Sequence, residues 1–98
     1  MNSRQRAYLK GLAMTLDPIM QIGKASLTDE NVAAVAEAVE PRELIKISVL
    51  KNCADDPKII ANEIASLTRS EVVQVIGKKI VLYNQAYELK NRKIILPK

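Results

Sequence analysis

The sequence predicts an α/β (α+β) fold of a single domain, residues 1–98, in which helices alternate with strands. A chain of 98 residues is long enough for one hydrophobic core. Apolar residues recur at helical spacing in three segments, and short apolar runs between turn residues mark four strands. The predicted order is α-β-α-β-α-β-β. Two β-α-β units followed by a hairpin favour a mixed four-stranded sheet packed with helices.

The first helix is predicted to begin near Ser3, a candidate N-cap. Its apolar stripe consists of Tyr8, Leu9, Leu12, Ala13 and Leu16. Gly11 weakens this helix and suggests close packing against another element. Asp17 should end it, because the residue before Pro18 avoids the α region.

A buried strand is predicted at residues 19–22. Residues 20–28 then contain the end of this strand, a short loop that begins at Gly23, and the first turn of the second helix. Ser26 and Thr28 are both candidate caps for that helix. Its apolar face consists of Val32, Val35, Ala36 and Val39. The helix is expected to end before Pro41.

This loop is also a candidate anion site. The N–H groups at a helix start are unpaired and carry partial positive charge. Lys24 places a cation beside them, and Gly23 allows the backbone to approach a phosphate closely. The residues alone are compatible both with a phosphate clamp and with an ordinary tight turn.

Residues 43–49 predict a strand with one buried face, because apolar and polar residues alternate there. Lys46 and Ser48 should lie on the face opposite the apolar side chains, which are Ile45, Ile47 and Val49. After a loop, the third helix should begin with Asp56 as its cap and Pro57 at its first position. Its buried side is expected to contain Ile60, Ile64 and Leu67.

A hairpin and a basic extension complete the predicted order. Residues 71–76, with 72–76 expected in the core, should pair with residues 79–83 through Gly77-Lys78, a Gly-X pair suited to a type II′ turn. Residues 84–98 form a basic C-terminal extension with a small apolar patch. This extension is compatible with a mobile arm, a short strand or a strap across the body.

The net charge of +4 is distributed unevenly. Residues 1–24 carry four basic residues against one acidic residue, residues 25–76 carry five against nine, and residues 77–98 carry six against one. If the two basic ends meet in space, they form a positive face suited to a polyanion. A solvated surface with chance clustering is the alternative.

The residue types argue against an enzyme, a metal protein and a cofactor site. There is no histidine, and Cys53, the single cysteine, has no candidate base. Asp55 and Asp56 are better explained as a helix cap than as a catalytic pair. The chain has no Walker or dinucleotide-binding glycine pattern, so we expect no cofactor and no small-molecule substrate.

The sequence also gives no sign of a membrane or export segment. No stretch approaches the roughly 20 apolar residues of a membrane span, and basic residues interrupt the N-terminal region. One cysteine cannot form an internal disulfide. We therefore expect a cytoplasmic protein with no membrane partner.

Several segments together resemble the CRM domain, an RNA-binding module named for chloroplast RNA splicing and ribosome maturation. Residues 22–28, Ile-Gly-Lys-Ala-Ser-Leu-Thr, follow its I-G-x-x-G-L-T motif. Residues 10–13, 43–47 and 75–83 resemble its first helix, second strand and final hairpin. The order and spacing match over nearly the whole chain, and the form it resembles is the stand-alone bacterial YhbY-like protein.

The resemblance implies a fold like the C-terminal domain of bacterial translation initiation factor three. It also implies binding to structured RNA, either ribosomal RNA or a pre-large-subunit ribosomal particle, during ribosome assembly. The family's GxxG loop, thought to contact the RNA backbone, corresponds to residues 23–26, with Ser26 in place of the second glycine. Asn84 stands where the family has an arginine.

RNA contacts are therefore expected from two sets of residues. The loop set, expected to hold backbone phosphates, consists of Gly23, Lys24, Ala25 and Ser26. The wider basic set consists of Arg4, Arg6, Lys10, Lys78, Lys79, Lys90, Arg92 and Lys93. Tyr83 and Tyr87 are candidates for stacking on bases, with core packing as the alternative for Tyr83.

Two other functions stay open at this point. One is a protein-interaction adaptor that docks on ribosomal proteins or assembly factors through its sheet face. The other is a DNA-binding architectural protein, against which the absence of a DNA-reading motif counts.

Overall fold

Three helices and one four-stranded sheet form the body of the protein, and the computed structural model describes residues 1–98. The elements in chain order are α1 (Ser3–Ala13), β1 (Met20–Ile22), α2 (Asp29–Arg42), β2 (Leu44–Val49), α3 (Pro57–Thr68), β3 (Glu71–Ile76) and β4 (Lys79–Tyr83), followed by a short 3₁₀ turn, Leu89–Asn91. The predicted element order is confirmed.

The sheet is mixed, as predicted, with the strand order β1-β2-β4-β3. β1 and β2 are parallel, and β4 pairs antiparallel with both β2 and β3. These directions bring the β1–α2 loop, the β2–α3 loop and the β3–β4 hairpin to the same end of the sheet. We call this the loop end.

One face of the sheet, the helix-covered face, is closed by α2 and α3. Strand alternation directs Ile45, Ile47 and Val49 toward these helices, as the sequence predicted. Thirteen buried residues form this core, and all are aliphatic except Cys53. The free cysteine is buried there as a small apolar group.

The second face, the half-open face, is covered only at the end away from the loops. There Leu9 and Ala13 of α1 pack against four buried residues of the sheet, which are Leu44, Val73, Val81 and Tyr83. Ile94 and Leu96 of the C-terminal segment complete this smaller core. The half nearer the loop end has no helix over it.

A β-bulge in β3 helps to determine what the half-open face presents. Val72 is paired with Leu82 and Gln74 with Val81, so Val73 is an extra residue. Val73 and Gln74 consequently lie on the same face, whereas strict alternation would have separated them. The Arg6 guanidinium donates to the carbonyls of Val72 (2.7 Å) and Val73 (3.1 Å) at this bulge.

The helix starts follow the predicted capping chemistry with one shift. α1 is capped by Asn2 rather than Ser3, in a reciprocal box with Gln5. α2 is capped by Thr28, which forms the same kind of box with Asn31. Asp56 caps α3 and Pro57 is its first residue, as predicted.

α2 does not end before Pro41, as the sequence suggested, but continues to Arg42. Pro41 has no N–H to donate, which leaves only one carbonyl, four residues earlier on an exposed turn, without its helical partner. The helix then ends sharply at Glu43, which has φ of +63° and donates its N–H to the Val39 carbonyl at 2.7 Å. This turn directs the Glu43 side chain into the protein.

Residues 84–98 form a strap, the third of the three possibilities that the sequence left open. The buried carboxylate of Glu43 accepts N–H bonds from Ala86 (2.9 Å), Lys93 (2.6 Å) and Ile94 (2.9 Å). Glu40 accepts N–H bonds from Tyr87 and Glu88 and from the Asn91 amide. Two carboxylates thus hold the backbone of the strap.

Several apolar expectations were wrong. The predicted apolar faces of α1 and α2 are buried only in part, because Tyr8 is 43% and Leu12 38% exposed and Ala36 is exposed as well. Leu67 is 59% exposed, because the buried side of α3 is centred on Ala61 and Ile64 and Leu67 lies at its edge. β3 is not entirely core, because it is an edge strand: Val73 is buried, whereas Ile76 is 60% exposed.

The hairpin between β3 and β4 has positive φ at Gly77 alone, which matches the predicted type II′ turn.

Candidate nucleic-acid interface

The uncovered half of the half-open face presents polar and basic side chains in two rows. Across the sheet, Gln21 is level with Ser48, Ser48 with Lys79, and Lys79 with Ile76. In the next row, the half-buried side chains of Lys46 and Gln74 flank Val81, which itself is buried in the smaller core. We call this surface the open floor. Lys79 Nζ donates to Ser48 Oγ at 3.1 Å, which fixes one lysine over the floor.

A hollow lies between α1 and the open floor, with a volume of about 490 Å³. Its lining includes Lys10 and Gly11 of α1 with the C-cap Met14, and Lys46, Gln74 and Ile76 of the sheet. A smaller hollow shares Lys46, Gln74 and Ile76 and extends to Lys79. A third, shallow hollow beside β1 also reaches Lys79, so a trough crosses the sheet.

Gly11 faces this hollow, and the expected close packing at Gly11 is wrong. A Cβ built on Gly11 would meet no atom within 4 Å. The glycine therefore does not allow two elements to approach each other. Its effect is to leave the wall of the hollow free of a side chain.

The Gly23–Ser26 loop is a β-turn at the loop end, closed by the Ser26 N–H bonded to the Gly23 carbonyl at 2.9 Å. The N–H groups of the central residues, Lys24 and Ala25, donate to no protein acceptor. Ser26 has φ of +57°, in the left-handed region that glycine adopts without strain. The conformation is thus that of a glycine, although a serine occupies it.

Two details of the predicted phosphate clamp need correction. α2 begins at Asp29, so the turn precedes the helix and the Lys24 and Ala25 N–H groups are not helix-start groups. Ser26 does not cap α2. Its hydroxyl instead donates to the Asp55 carboxylate, which ties the β1–α2 loop to the β2–α3 loop.

Lysines and carboxylates are mixed at the loop end. Lys24 and Lys78 are exposed, and Lys78 stands at the tip of the hairpin. Asp29 and Glu30 occupy the first turn of α2. The net field there is therefore weaker than the lysines alone would give, whereas no acidic side chain lines the hollow over the open floor.

The predicted basic residues divide into three groups. Lys10 and Lys79 line the hollows over the open floor, with Lys78 beside them at the loop end. Arg6 is occupied by the β3 bulge, and Arg4 is exposed on α1. The remaining three, on the strap, are Lys90, Arg92 and Lys93.

The strap group lies at the opposite end of the sheet from the loops, a separation of about 17 Å along β2. Lys90 pairs with Glu88 at 3.2 Å, and Arg92 Nε donates to the Ala86 carbonyl at 2.8 Å. The two chain ends do meet, since Gln5 donates to the Pro97 carbonyl at 3.0 Å. The basic residues nevertheless do not all converge on one site.

Comparison with known proteins assigns the chain to a family. The sequence model of the CRS1 / YhbY (CRM) domain matches residues 1–84. The chain belongs to this CRM domain family. A Bacillus subtilis protein named Probable RNA-binding protein YqeI is 42% identical over 97 residues, with 99% of each chain covered. A Haemophilus influenzae protein named RNA-binding protein is 34% identical over 90 residues, covering 92% of this chain and 91% of the relative.

A solved structure has the same fold as this CRM domain. The solution structure of a Staphylococcus aureus protein, described as a candidate RNA-binding protein, superposes with a TM-score of 0.80. The two sequences are 42% identical, and the match covers 99% of both chains.

Sequence reasoning missed three features of the CRM domain surface. Strand alternation predicts Lys46 on the face opposite Ile45, as observed, but it does not indicate that this part of the face is uncovered. Gln74 reaches the open floor only because of the β3 bulge, which the sequence does not show. A glycine in a helix, such as Gly11, is compatible both with close packing against another element and with an open surface, and the sequence does not distinguish the two.

Tyrosines contribute little to this surface. Tyr83 is 5% exposed and belongs to the smaller core, so it is not available for stacking. Burial, together with nearby Glu43 and Glu71, raises the pKa of its hydroxyl. Tyr87 is 89% exposed, but it lies on the strap, away from the open floor.

The carboxylates that hold the strap, Glu43 and Glu40, also have shifted pKa values. Burial acts to raise the pKa of Glu43, but three backbone N–H donors and nearby Arg92 outweigh burial and hold the pKa below its ordinary value. The Tyr87 N–H, the Asn91 amide and the Glu88 N–H lower the pKa of Glu40. Both side chains therefore favour the ionised form that holds the strap.

Two further properties of the chain concern metals and membranes. No group of three or more His, Cys, Asp or Glu residues is arranged to hold a metal ion. None of the helices is both long and apolar enough to span a bilayer.

Proposed function

We propose that this CRM domain binds structured RNA, and specifically ribosomal RNA of the large subunit or of its assembling precursor. The observation that carries the proposal is the open floor, a concave basic surface left uncovered beside the Gly23–Ser26 turn. The names of the relatives in Bacillus subtilis and Haemophilus influenzae support RNA as the class of ligand.

Unpaired cations support this proposal. Only two ion pairs are present, and Lys90 is the only Lys or Arg side chain in either of them. Lys10, Lys46 and Lys79 lie around a trough that has no carboxylate of its own. A phosphate backbone would supply the missing anions, and each contact would release counterions from the RNA.

The Gly23–Ser26 turn would add backbone donors to these charges. The free N–H groups of Lys24 and Ala25 point to the same use as N–H groups in other phosphate-binding turns. Lys24 and Lys78 stand beside the turn at the loop end. In this proposal the turn fixes the position of one phosphate, while the lysines supply most of the affinity.

The test is binding to large-subunit ribosomal RNA over a salt series. We expect affinity to fall steeply with salt, and the double variant Lys24→Ala, Lys78→Ala to reduce the log–log slope by about 2, or about one per lost phosphate contact. Arg69→Asn, Lys98→Ala removes the same charge from exposed positions away from the loop end and should leave the slope nearly unchanged.

The outcomes separate several interpretations. No binding by the wild type at low salt would overturn the proposal. Equal slopes for the two double variants would mean that phosphates are held elsewhere. Equal competition by small-subunit RNA, or by duplex DNA, would remove the large-subunit assignment.

A protein-interaction adaptor is the second candidate, and one observation favours it. Met14 is 83% exposed and Ile76 60% exposed beside the trough, where they would suit an apolar partner surface. Adaptor binding should be insensitive to salt and to loss of Lys24 and Lys78. The same salt series, run with ribosomal proteins in place of RNA, distinguishes the two functions.

A further inference from the structure

We infer that the hollow between α1 and the open floor receives the base of one unpaired nucleotide. The inference rests on the proposed function and deepens it, because it gives the class of RNA: a helix interrupted by a bulge or loop, rather than a continuous duplex. Four features of the hollow carry the inference.

The first feature is size. The hollow has a volume of about 490 Å³, within the range of roughly 300–1,000 Å³ typical of small-molecule sites. It is open on one side, as a group still attached to a polymer requires. An RNA helix is far too wide to enter it, whereas a single base turned out of the stack is not.

The second feature is the apolar lining. Met14, at the C-terminal cap of α1, and Ile76, on the edge strand β3, both line the hollow. Both side chains are largely exposed in the free protein. A flat base between them would cover apolar surface on both sides, and the Met14 thioether makes favourable contacts with aromatic rings.

The third feature is a pair of polar side chains on the floor that make no hydrogen bond within the protein. The side-chain amide of Gln74 offers two N–H donors and one carbonyl acceptor. It is half-buried, and it makes no hydrogen bond to another group of the protein. Lys46 Nζ, on the other side of Val81, also has no hydrogen-bond partner in the protein. The edge of a base carries the complementary donors and acceptors, which an apolar peptide side chain would lack.

The fourth feature is charge on the rim. Lys10 stands on the α1 side of the hollow and Lys79 on the β4 side, next to the smaller hollow. No acidic side chain lines either hollow. The site therefore combines a slot for a flat ring with cations on both sides, which is the chemistry of a nucleotide with its flanking phosphates.

Gly11 supplies a sharp probe of this site. Gly11 lines the hollow, and a Cβ built on it has no atom within 4 Å, so a side chain there has open space to occupy. Leucine is also a better helix former than glycine. Gly11→Leu should therefore fill the hollow while melting at the same temperature as the wild type or a higher one.

Ala34→Leu is the matched control. Ala34 lies on the exposed side of α2, on the other face of the sheet, so the variant adds a leucine to the surface far from the hollow. Both variants keep the net charge and every lysine. Any difference in RNA binding between them then reports on the hollow and not on electrostatics or general surface hydrophobicity.

The experiment uses two hairpin RNAs with the same stem, one of them carrying a single bulged adenosine. We expect the wild type and Ala34→Leu to bind the bulged hairpin about tenfold more tightly than the paired one, the order of a single stacked base. Gly11→Leu should lose this preference and bind both hairpins with the wild-type affinity for the paired RNA.

An NMR titration with adenosine monophosphate, run on the same proteins, checks the location. Shifts of the Gly11, Gln74 and Ile76 amides in the wild type, with no such shifts at the same three positions in the Gly11→Leu variant, support the inference. A wild type without preference for the bulge, or a Gly11→Leu variant that keeps the preference, overturns the inference while RNA binding stands. Failure of the wild type to bind either hairpin or ribosomal RNA at low salt overturns the proposed function as well.

Discussion

The two faces of the sheet are built in different ways, and the difference accounts for where the binding surface lies. The helix-covered face is closed by α2 and α3, which the β-α-β connections place there directly. The half-open face is covered only in part, by α1 before the sheet and by the strap after it. The first face stabilises the fold, and the second leaves polar surface free.

The two faces also differ in how their covers are attached. Apolar packing holds α2 and α3 against the sheet, and no side-chain hydrogen bond joins either helix to a strand. On the half-open face, polar contacts supplement a small core: Glu43 and Glu40 hold the strap, and Arg6 joins α1 to β3. The stability of this cover should therefore depend on charge and pH, whereas that of the other should not.

The largest expected effect comes from breaking the helix-covered face. Ile64 is fully buried there, so Ile64→Ala should lower the free energy of unfolding by about 3 kcal/mol, the usual cost of such a cavity. Ile94→Ala removes the same atoms from a half-buried position under the strap and should cost about 1 kcal/mol. Urea unfolding measures both. Equal losses would mean that the two faces contribute alike.

The next effect tests the polar attachment of the strap. Glu43→Gln keeps the size of the side chain, but it replaces one acceptor oxygen by an NH₂ group that faces backbone N–H donors. We expect a loss of about 2 kcal/mol, typical for hydrogen bonds to a charged group. Hydrogen exchange should quicken at Ala86, Lys93 and Ile94 and stay slow in β2. Uniform quickening would show that the strap and the sheet unfold together.

The contribution of the two strap carboxylates to the free energy of unfolding should depend on pH. The folded pKa values of Glu43 and Glu40 are lowered, so their contribution is present in full above the unfolded pKa of about 4.3 and is lost as the pH falls below it. Wild type and Glu43→Gln should therefore converge in stability as the pH is lowered. A stability difference that persists well below this pH would contradict the role of the ionised carboxylate.

The sequence was informative where local chemistry decides structure and uninformative where tertiary contacts do. Helix caps, turn residues and strand alternation predicted the element order and the mixed sheet. Thr28, Pro57 and Gly77, for example, determine the conformation of only the few residues next to them in the chain. The β3 bulge and the strap depend on Arg6 and Glu43, whose partners are distant in the chain. The open floor could not be predicted for the same reason. It is exposed because neither α1 nor the strap extends over that half of the sheet, and this depends on tertiary packing.

The smallest effect concerns the loop that joins the helix-covered face to the loop end. Ser26→Gly relieves left-handed strain of about 1 kcal/mol, but it loses an exposed hydrogen bond to Asp55 and adds freedom to the unfolded chain. These terms nearly cancel, so thermal unfolding should show a change below about 0.5 kcal/mol. Ser26→Ala keeps the strain and loses the bond, so it should destabilise by about 0.5–1 kcal/mol. Both variants lose the Asp55 bond, so a Ser26→Gly variant more damaging than Ser26→Ala would show that the freedom glycine adds to the unfolded chain outweighs the relief of left-handed strain.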